Sequence, residues 1–272
     1  MVFINKSMVI AGALLLAFTA SALGTNPVKE KKDGKQVEVQ EGTPENAVGK
    51  KKGVDFKVSA DVVSSYVWRG AYNAGASVQP TLGMSAGNFS LTVWGSKEIS
   101  DLHKEIDITA AYSFGCVSLF VADYWWEGDK FWEKGDNAGA KYFNLDNHDM
   151  RHRLEAGISC TISERFPLSI AWNTMFWGAD KDYKDGKQNY SSYMELNYPF
   201  SVQQVGLTAT LGLTPYESRN MYGTSGFDVC NVALSATREI RVTKSFSLPV
   251  FTRVIFNPAA GDAHVVFGFT LR

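Results

Sequence analysis

The chain has 272 residues, 45% of them hydrophobic and 20% charged, with a formal net charge of -1. That balance excludes a nucleic-acid binder driven by bulk positive charge, and the length admits one large domain or two small ones. Three cysteines, Cys116, Cys160 and Cys230, are an odd and sparse set that makes no disulfide framework; none has a second Cys or a His at metal-ligand spacing, so they read as small apolar residues.

Residues 1–22 read as a cleaved signal peptide. Lys6 supplies the positive start, Met8–Phe18 is an apolar run too short to span a bilayer as a helix, and Ala20-Ser21-Ala22 is a small-x-small cleavage site. No Cys follows the apolar run to take a lipid anchor. The segment 23–53 is rich in Lys, Glu and Gly and almost free of large apolar residues. It buries too little surface to offset chain ordering and is expected to be a disordered periplasmic spacer.

From Val54 to the last residue the period is two. Val54–Arg69 predicts one long strand, with Val54, Phe56, Val58, Ala60, Val62, Ser64, Tyr66 and Trp68 on one side and Asp55, Lys57, Ser59, Asp61 and Arg69 on the other. Leu82 and Met84 alternate with Thr81 and Ser85, then Phe89, Leu91 and Val93 with Ser90 and Thr92. Ile106, Ile108 and Tyr112 follow, then Val117–Trp126, apolar on both sides. Further rows run through Leu154–Cys160, Leu168–Phe176, Met194–Tyr198, Val205–Leu213, Val232–Ala236 and Phe246–Phe256. The last row is Val265, Phe267, Phe269 and Leu271. This makes about twelve strands, an even number as bacterial outer-membrane barrels show. Short connections (Ala86–Asn88, Gly115-Cys116, Ser163–Pro167, Phe200–Gln203) alternate with long polar ones (Arg69–Ser77, Glu127–Asn147, Ala179–Tyr190, Pro215–Phe227).

That rhythm predicts an all-β, closed antiparallel transmembrane barrel over 54–272, with short periplasmic turns and longer extracellular loops. The greasy rows then face lipid, because in hydrocarbon only a closed sheet pairs every backbone amide. The polar rows hold Lys57, Asp61, Asp107, Arg151, Arg153, Glu155, Glu195 and Arg253, too many charges for a soluble core without dense pairing. Aromatics gather at row ends (Tyr66 and Trp68, Tyr112 and Phe114, Tyr124–Trp126, Phe176, Tyr198 and Phe200, Phe256), as interfacial girdles do. The competing reading is a soluble β-sandwich or lipocalin-like barrel.

The segments Ser64-Ser65-Tyr66-Val67-Trp68-Arg69-Gly70, Val78–Leu82 with Gln79-Pro80, Gly87, and Trp94-Gly95-Ser96 resemble the N-terminal signature of the TorF-like family of small outer-membrane porins. The resemblance covers roughly the first four strands and is architectural beyond them. It implies a bacterial outer-membrane barrel of transport function, delivered by the barrel assembly machinery, and supplies no catalytic residues.

A lipid-processing barrel enzyme needs a Ser and a His base in contact. None of His103, His148, His152 and His264 has a Ser two residues away on its strand. His152 falls on the lipid side near the outer rim and reads as an interface histidine. The acidic stretches Asp180–Asp185 and Glu133–Asn137 read as solvated loops rather than metal sites. No cofactor is expected. The remaining chemistry is the lumen, where Arg151, Arg153, Glu155, Lys57, Asp61 and Arg253 are the candidate selectivity residues of a narrow passive channel for small polar solutes or ions. The alternative is a plugged barrel acting as a surface receptor. Its long loop Glu127–Asn147 carries Phe131, Trp132, Tyr142 and Phe143 as a candidate lid or binding surface.

Overall fold

The computed structural model describes residues 53–100, 103–127, 141–145, 150–182 and 185–272. The expected signal peptide 1–22, all of 23–53 but Gly53, and Phe131, Trp132, His148 and Glu133–Asn137 lie outside the described residues.

Twelve antiparallel strands close into a barrel. They are β1 (Val54–Val63), β4 (Ser77–Ala86), β5 (Phe89–Glu98), β6 (Lys104–Phe114), β7 (Val117–Glu127), β8 (His152–Thr161), β9 (Ser169–Gly178), β10 (Ser192–Val202), β11 (Val205–Thr214), β12 (Asp228–Arg241), β13 (Ser247–Asn257) and β14 (Asp262–Leu271). Each pairs with its neighbour along the chain, and β1 closes the ring by pairing Ala60–Val63 with Leu271–Gly268. Both ends of the barrel segment lie at the rim with the short turns.

The alternation sorts the two faces as predicted. Outward positions are apolar and open, with Phe56 at 72%, Val58 at 71% and Phe267 at 61% exposure. Inward positions carry the polar row, buried in the outer half at Glu98, Glu105, Asp107, Glu155 and Glu195, together with buried apolar residues such as Phe120, Met175, Phe251, Ile255 and Val266. A closed ladder satisfies its own amides, so this apolar exterior suits hydrocarbon and would be a large aggregation surface in water.

The single strand expected over Val54–Arg69 is broken. The Ser64 hydroxyl accepts the Phe267 N–H at 2.9 Å, while Ser64 N–H donates to the Phe267 carbonyl at 2.8 Å. A side-chain oxygen has taken the ladder's next place, and the chain leaves the wall there. It turns inward and forms its own hairpin, β2 (Tyr66–Trp68) against β3 (Ala71–Ala74). The turn residues Arg69 and Gly70 have φ of 49° and 83°, the left-handed pair that a two-residue hairpin turn of the favoured twist requires. Tyr66 and Trp68 are therefore lumen residues, not members of an interfacial girdle. Tyr124 and Trp126 also point inward, and only Trp125 of that run lies on the outer wall.

Inward aromatic rings lie across inward glycines of the next strand. A Cβ added at Gly157 would sit 2.0 Å from the Phe120 ring, and one at Gly212 2.0 Å from the Tyr193 hydroxyl. These glycines let large rings lie along the wall.

Candidate functional site

The constriction is built from the hairpin tip outward. Arg69 meets Glu155 of β8 through two parallel bonds, Nη1 to Oε1 at 2.6 Å and Nη2 to Oε2 at 2.8 Å. Nη1 also donates to the Tyr222 hydroxyl at 2.6 Å, and the Tyr124 hydroxyl donates to Glu155 Oε2 at 2.9 Å. The guanidinium stacks 4.4 Å from the Trp68 ring centroid and 4.7 Å from that of Tyr193. Glu155 is 0% exposed. A buried carboxylate is tolerable only when its lone pairs are met by charge and hydrogen bonds, and the bidentate guanidinium with one phenol supplies both.

A second loop completes the plug. Between β11 and β12 a single helical turn, α1 (Arg219–Tyr222), delivers Met221 and Tyr222 to the interior. Tyr222 stacks on Trp68 at 6.0 Å and on Tyr193 at 5.4 Å between centroids. The loop is tied down by the Thr214 hydroxyl donating to Thr224 Oγ1 at 2.9 Å. The buried cluster that results runs from Ala111 of β6 to Cys230 of β12. Those strands stand opposite each other in the ring, so the cluster crosses the full lumen. Other anchors hold the hairpin's flanks: Glu98 accepts the Gly75 N–H at 2.6 Å, and the Asn257 amide donates to the Gly70 carbonyl at 3.1 Å.

The candidate selectivity residues do not form one ring. Arg153 and Glu155 sit on β8, with the Arg153 guanidinium 4.1 Å from the Trp126 ring centroid. Arg151 lies just outside β8, and its carbonyl accepts from Arg153 Nη1 at 3.2 Å. Lys57, Asp61 and Arg253 lie on the opposite wall, on β1 and β13. The Thr270 hydroxyl donates to Asp61 at 2.6 Å, and Arg253 and Lys57 both act on that carboxylate.

Of the candidate lid residues, Tyr142 and Phe143 are described, and Tyr142 lies against the outer wall rather than over the lumen. Tyr142 meets Trp125 edge-on at 5.4 Å and His152 at 5.0 Å, both outward residues. Phe143 is 89% exposed. His152 is buried beneath this segment, with Nδ1 2.9 Å from Asp123 Oδ2 and Nε2 2.5 Å from the Tyr142 carbonyl. Both ring nitrogens face acceptors, so neither is directed at a hydroxyl nucleophile. Asp180, expected in a solvated acidic loop, is buried and accepts from the Ser191 N–H and hydroxyl, each at 2.8 Å. Burial pushes its carboxyl above the ordinary range despite those bonds.

Sequence reasoning missed Arg69, Tyr124, Tyr193 and Tyr222 as parts of the constriction. The available signal was local: Gly70 supplies a residue free to take the left-handed conformation a two-residue turn needs, and Ser64-Ser65 interrupts the apolar row. Gly70 is also a close-approach position, since a Cβ there would lie 1.9 Å from the Cys230 carbonyl oxygen. Gly70→Ala adds a left-handed penalty of about 1–2 kcal/mol to that clash. It is expected to unseat the hairpin and raise maleimide labelling of the buried Cys230 by about tenfold or more, measured in a Cys116→Ser, Cys160→Ser background. Unchanged labelling would mean the tip is not seated on β12.

No protein-family model matches the sequence, and no curated protein matches it. Solved structures that resemble it are outer-membrane barrels. The KdgM porin in complex with disordered oligogalacturonate has 7% identity and a TM-score of 0.44, over 81% of this chain and 99% of that one. The outer membrane protein OprD from Pseudomonas aeruginosa has 11% identity and a TM-score of 0.34, over 81% of this chain and 64% of that one. A bacterial polysaccharide outer membrane secretin has 9% identity and a TM-score of 0.33, over 80% and 98%. The likeness is one of fold.

Proposed function

We propose that the chain is a porin-like barrel of the bacterial outer membrane, a narrow passive channel for small polar solutes or ions whose bore is set by the inward hairpin. The observation that carries this is the contrast between the two halves of the lumen. The outer half is filled by the plug, whereas inward Ser59, Ser85, Thr92, Thr208 and Ser235 nearer the short-turn rim stay half-exposed and Lys57 stays exposed. A barrel evolved only as a scaffold would have no need of a wet, polar vestibule ending at a side-chain gate. The finer family reading, TorF-like porins, rests on the segments around Ser64–Gly70 and Trp94–Ser96. Of those segments, Arg69-Gly70 forms the tip of this chain's inward hairpin. Insertion through the barrel assembly machinery and contact with outer-membrane lipid accompany this reading.

The charges at the gate set a preference. Buried inward Glu98, Glu105, Asp107, Glu155 and Glu195 outnumber the buried Arg69 and Arg153, and an excess of carboxylates in a low-dielectric pore favours cations. Folded protein in planar bilayers should give discrete conductance steps, with a reversal potential in a salt gradient that reads cation over anion. Arg151→Glu with Arg153→Glu should strengthen that preference, and Lys57→Glu with Arg253→Glu should shift it from the vestibule side. Silent bilayers with folded protein would remove the channel. That outcome would leave the second reading, a plugged barrel displaying its loops as a receptor, which the apolar cluster spanning the lumen favours.

A further inference from the structure

Two of the three cysteines meet at the short-turn rim, far from the plug. Cys116 is the second residue of the Gly115-Cys116 turn that joins β6 to β7, and Cys160 is the penultimate residue of β8. The register places Val117 directly opposite Cys160, and the Thr161 N–H donates to the Cys116 carbonyl at 3.3 Å. The pair is thus one residue off a directly opposed position. Neighbouring strands stand about 4.8 Å apart and rise about 3.3 Å per residue, which puts such Cα atoms roughly 6 Å apart, inside the span a disulfide bridges. A one-residue offset inside a regular ladder would turn the two side chains to opposite faces, but Cys116 lies in the turn before β7 begins at Val117, outside that alternation, and its thiol is close enough to that of Cys160 for the two to interact. Cys116 is exposed and Cys160 half-exposed, whereas Cys230 is sealed in the plug.

We propose that Cys116 and Cys160 form a disulfide that staples β7 to β8 at the periplasmic rim. The compartment rests on the outer-membrane reading, under which the short turns face an oxidising space; the geometry of the pair does not depend on it. The oxidant is a disulfide, either a protein thiol oxidase of the periplasm or a small-molecule disulfide. The exposed Cys116 thiolate attacks one of its sulfurs and displaces the first thiolate, giving a mixed disulfide. The Cys160 thiolate then attacks the Cys116 sulfur, forms the internal bond and releases the second thiolate. Two electrons pass to the oxidant, which ends as two thiols, and the two protons of the cysteines are taken up by the departing thiolates. The closed loop contains all of β7, the outer connection and nearly all of β8. It therefore secures the hairpin that bears Tyr124 and Glu155, the wall side of the Arg69 latch.

The test counts thiols in the full chain. Protein is extracted from the membrane fraction with an alkylating agent present, denatured, and alkylated again without reduction. One modified cysteine, Cys230, is expected, rising to three after reduction, and non-reducing peptide mapping should recover the Cys116 and Cys160 peptides joined. Purified folded protein oxidised with glutathione disulfide should reach the same state. Cys116→Ser and Cys160→Ser should each abolish the joined peptide, while Cys230→Ser should keep it. Three alkylated thiols in the glutathione-treated folded protein, or Cys116 halted as a stable glutathione adduct, would overturn the proposal. Oxidation in vitro with reduced cysteines in the cell would instead fault the placement of that rim in the periplasm.

Discussion

Replacing Arg69 by alanine is expected to produce the largest change in both conduction and stability. The substitution removes the guanidinium that meets Glu155 in two bonds and leaves that carboxylate with the Tyr124 hydroxyl. Breaking one side of a buried pair costs about 3–5 kcal/mol, because the remaining charge is stranded. The barrel wall cannot relax to hydrate Glu155, since its ladder bonds fix β8. The hairpin can, because among the described strands β2 and β3 pair only with each other. The cheaper response is for the hairpin to leave and for water to enter. Single-channel conductance should therefore rise several-fold, with urea unfolding in lipid vesicles shifted to lower concentration.

A companion variant separates the plug from its charge. Arg69→Met with Glu155→Leu replaces the ion pair by apolar groups of similar bulk, a change often neutral or stabilising for buried pairs. The introduced thioether would still lie among Trp68, Tyr193 and Tyr222, so conductance should remain low while Arg69→Ala conducts. If both variants conduct alike, the ion pair itself holds the gate. If neither conducts above wild type, the bore is set elsewhere and the hairpin is passive.

The barrel was legible because its signal repeats. Each strand states its faces through period two, and errors at single residues average out, so strand number, closure and inside-out sense all follow from the rows. The constriction was not legible in that way. Tyr66 and Trp68 continue the parity of Val54–Val62, and nothing in parity records that Ser64 hands its place in the ladder to a hydroxyl. Tyr222 sits in a loop whose polar neighbours describe an exposed segment. Glu155 was identified as a lumen residue by its row, yet its partner is a loop residue 86 positions away, and no periodicity connects them. Sequence pattern reads the wall well, because the wall is regular. The plug depends on pairwise geometry between segments that are irregular, and local chemistry announced it only at the Ser64-Ser65 break and at Gly70.

The inside-out sense itself makes the second large prediction, on adjacent residues of β5. Val93 faces outward beside Leu82 and Ile108, and Thr92 faces inward between Gly83 and Thr109. An arginine on the lipid face near the bilayer midplane costs about 2–4 kcal/mol, falling to about 0–1 near the interfaces. Val93→Arg should carry the full cost in vesicle refolding, Leu91→Arg less, and Phe89→Arg, at the short-turn rim, least. Thr92→Arg should cost little, because its side chain enters the wet vestibule, and should instead shift the reversal potential toward anions. A soluble core would also penalise Val93→Arg, but would not grade the cost by height along the strand or ease it in thinner bilayers. The gradient is therefore the discriminating measurement: a flat profile from Phe89 to Val93 would mean that protein, not hydrocarbon, lies against this face.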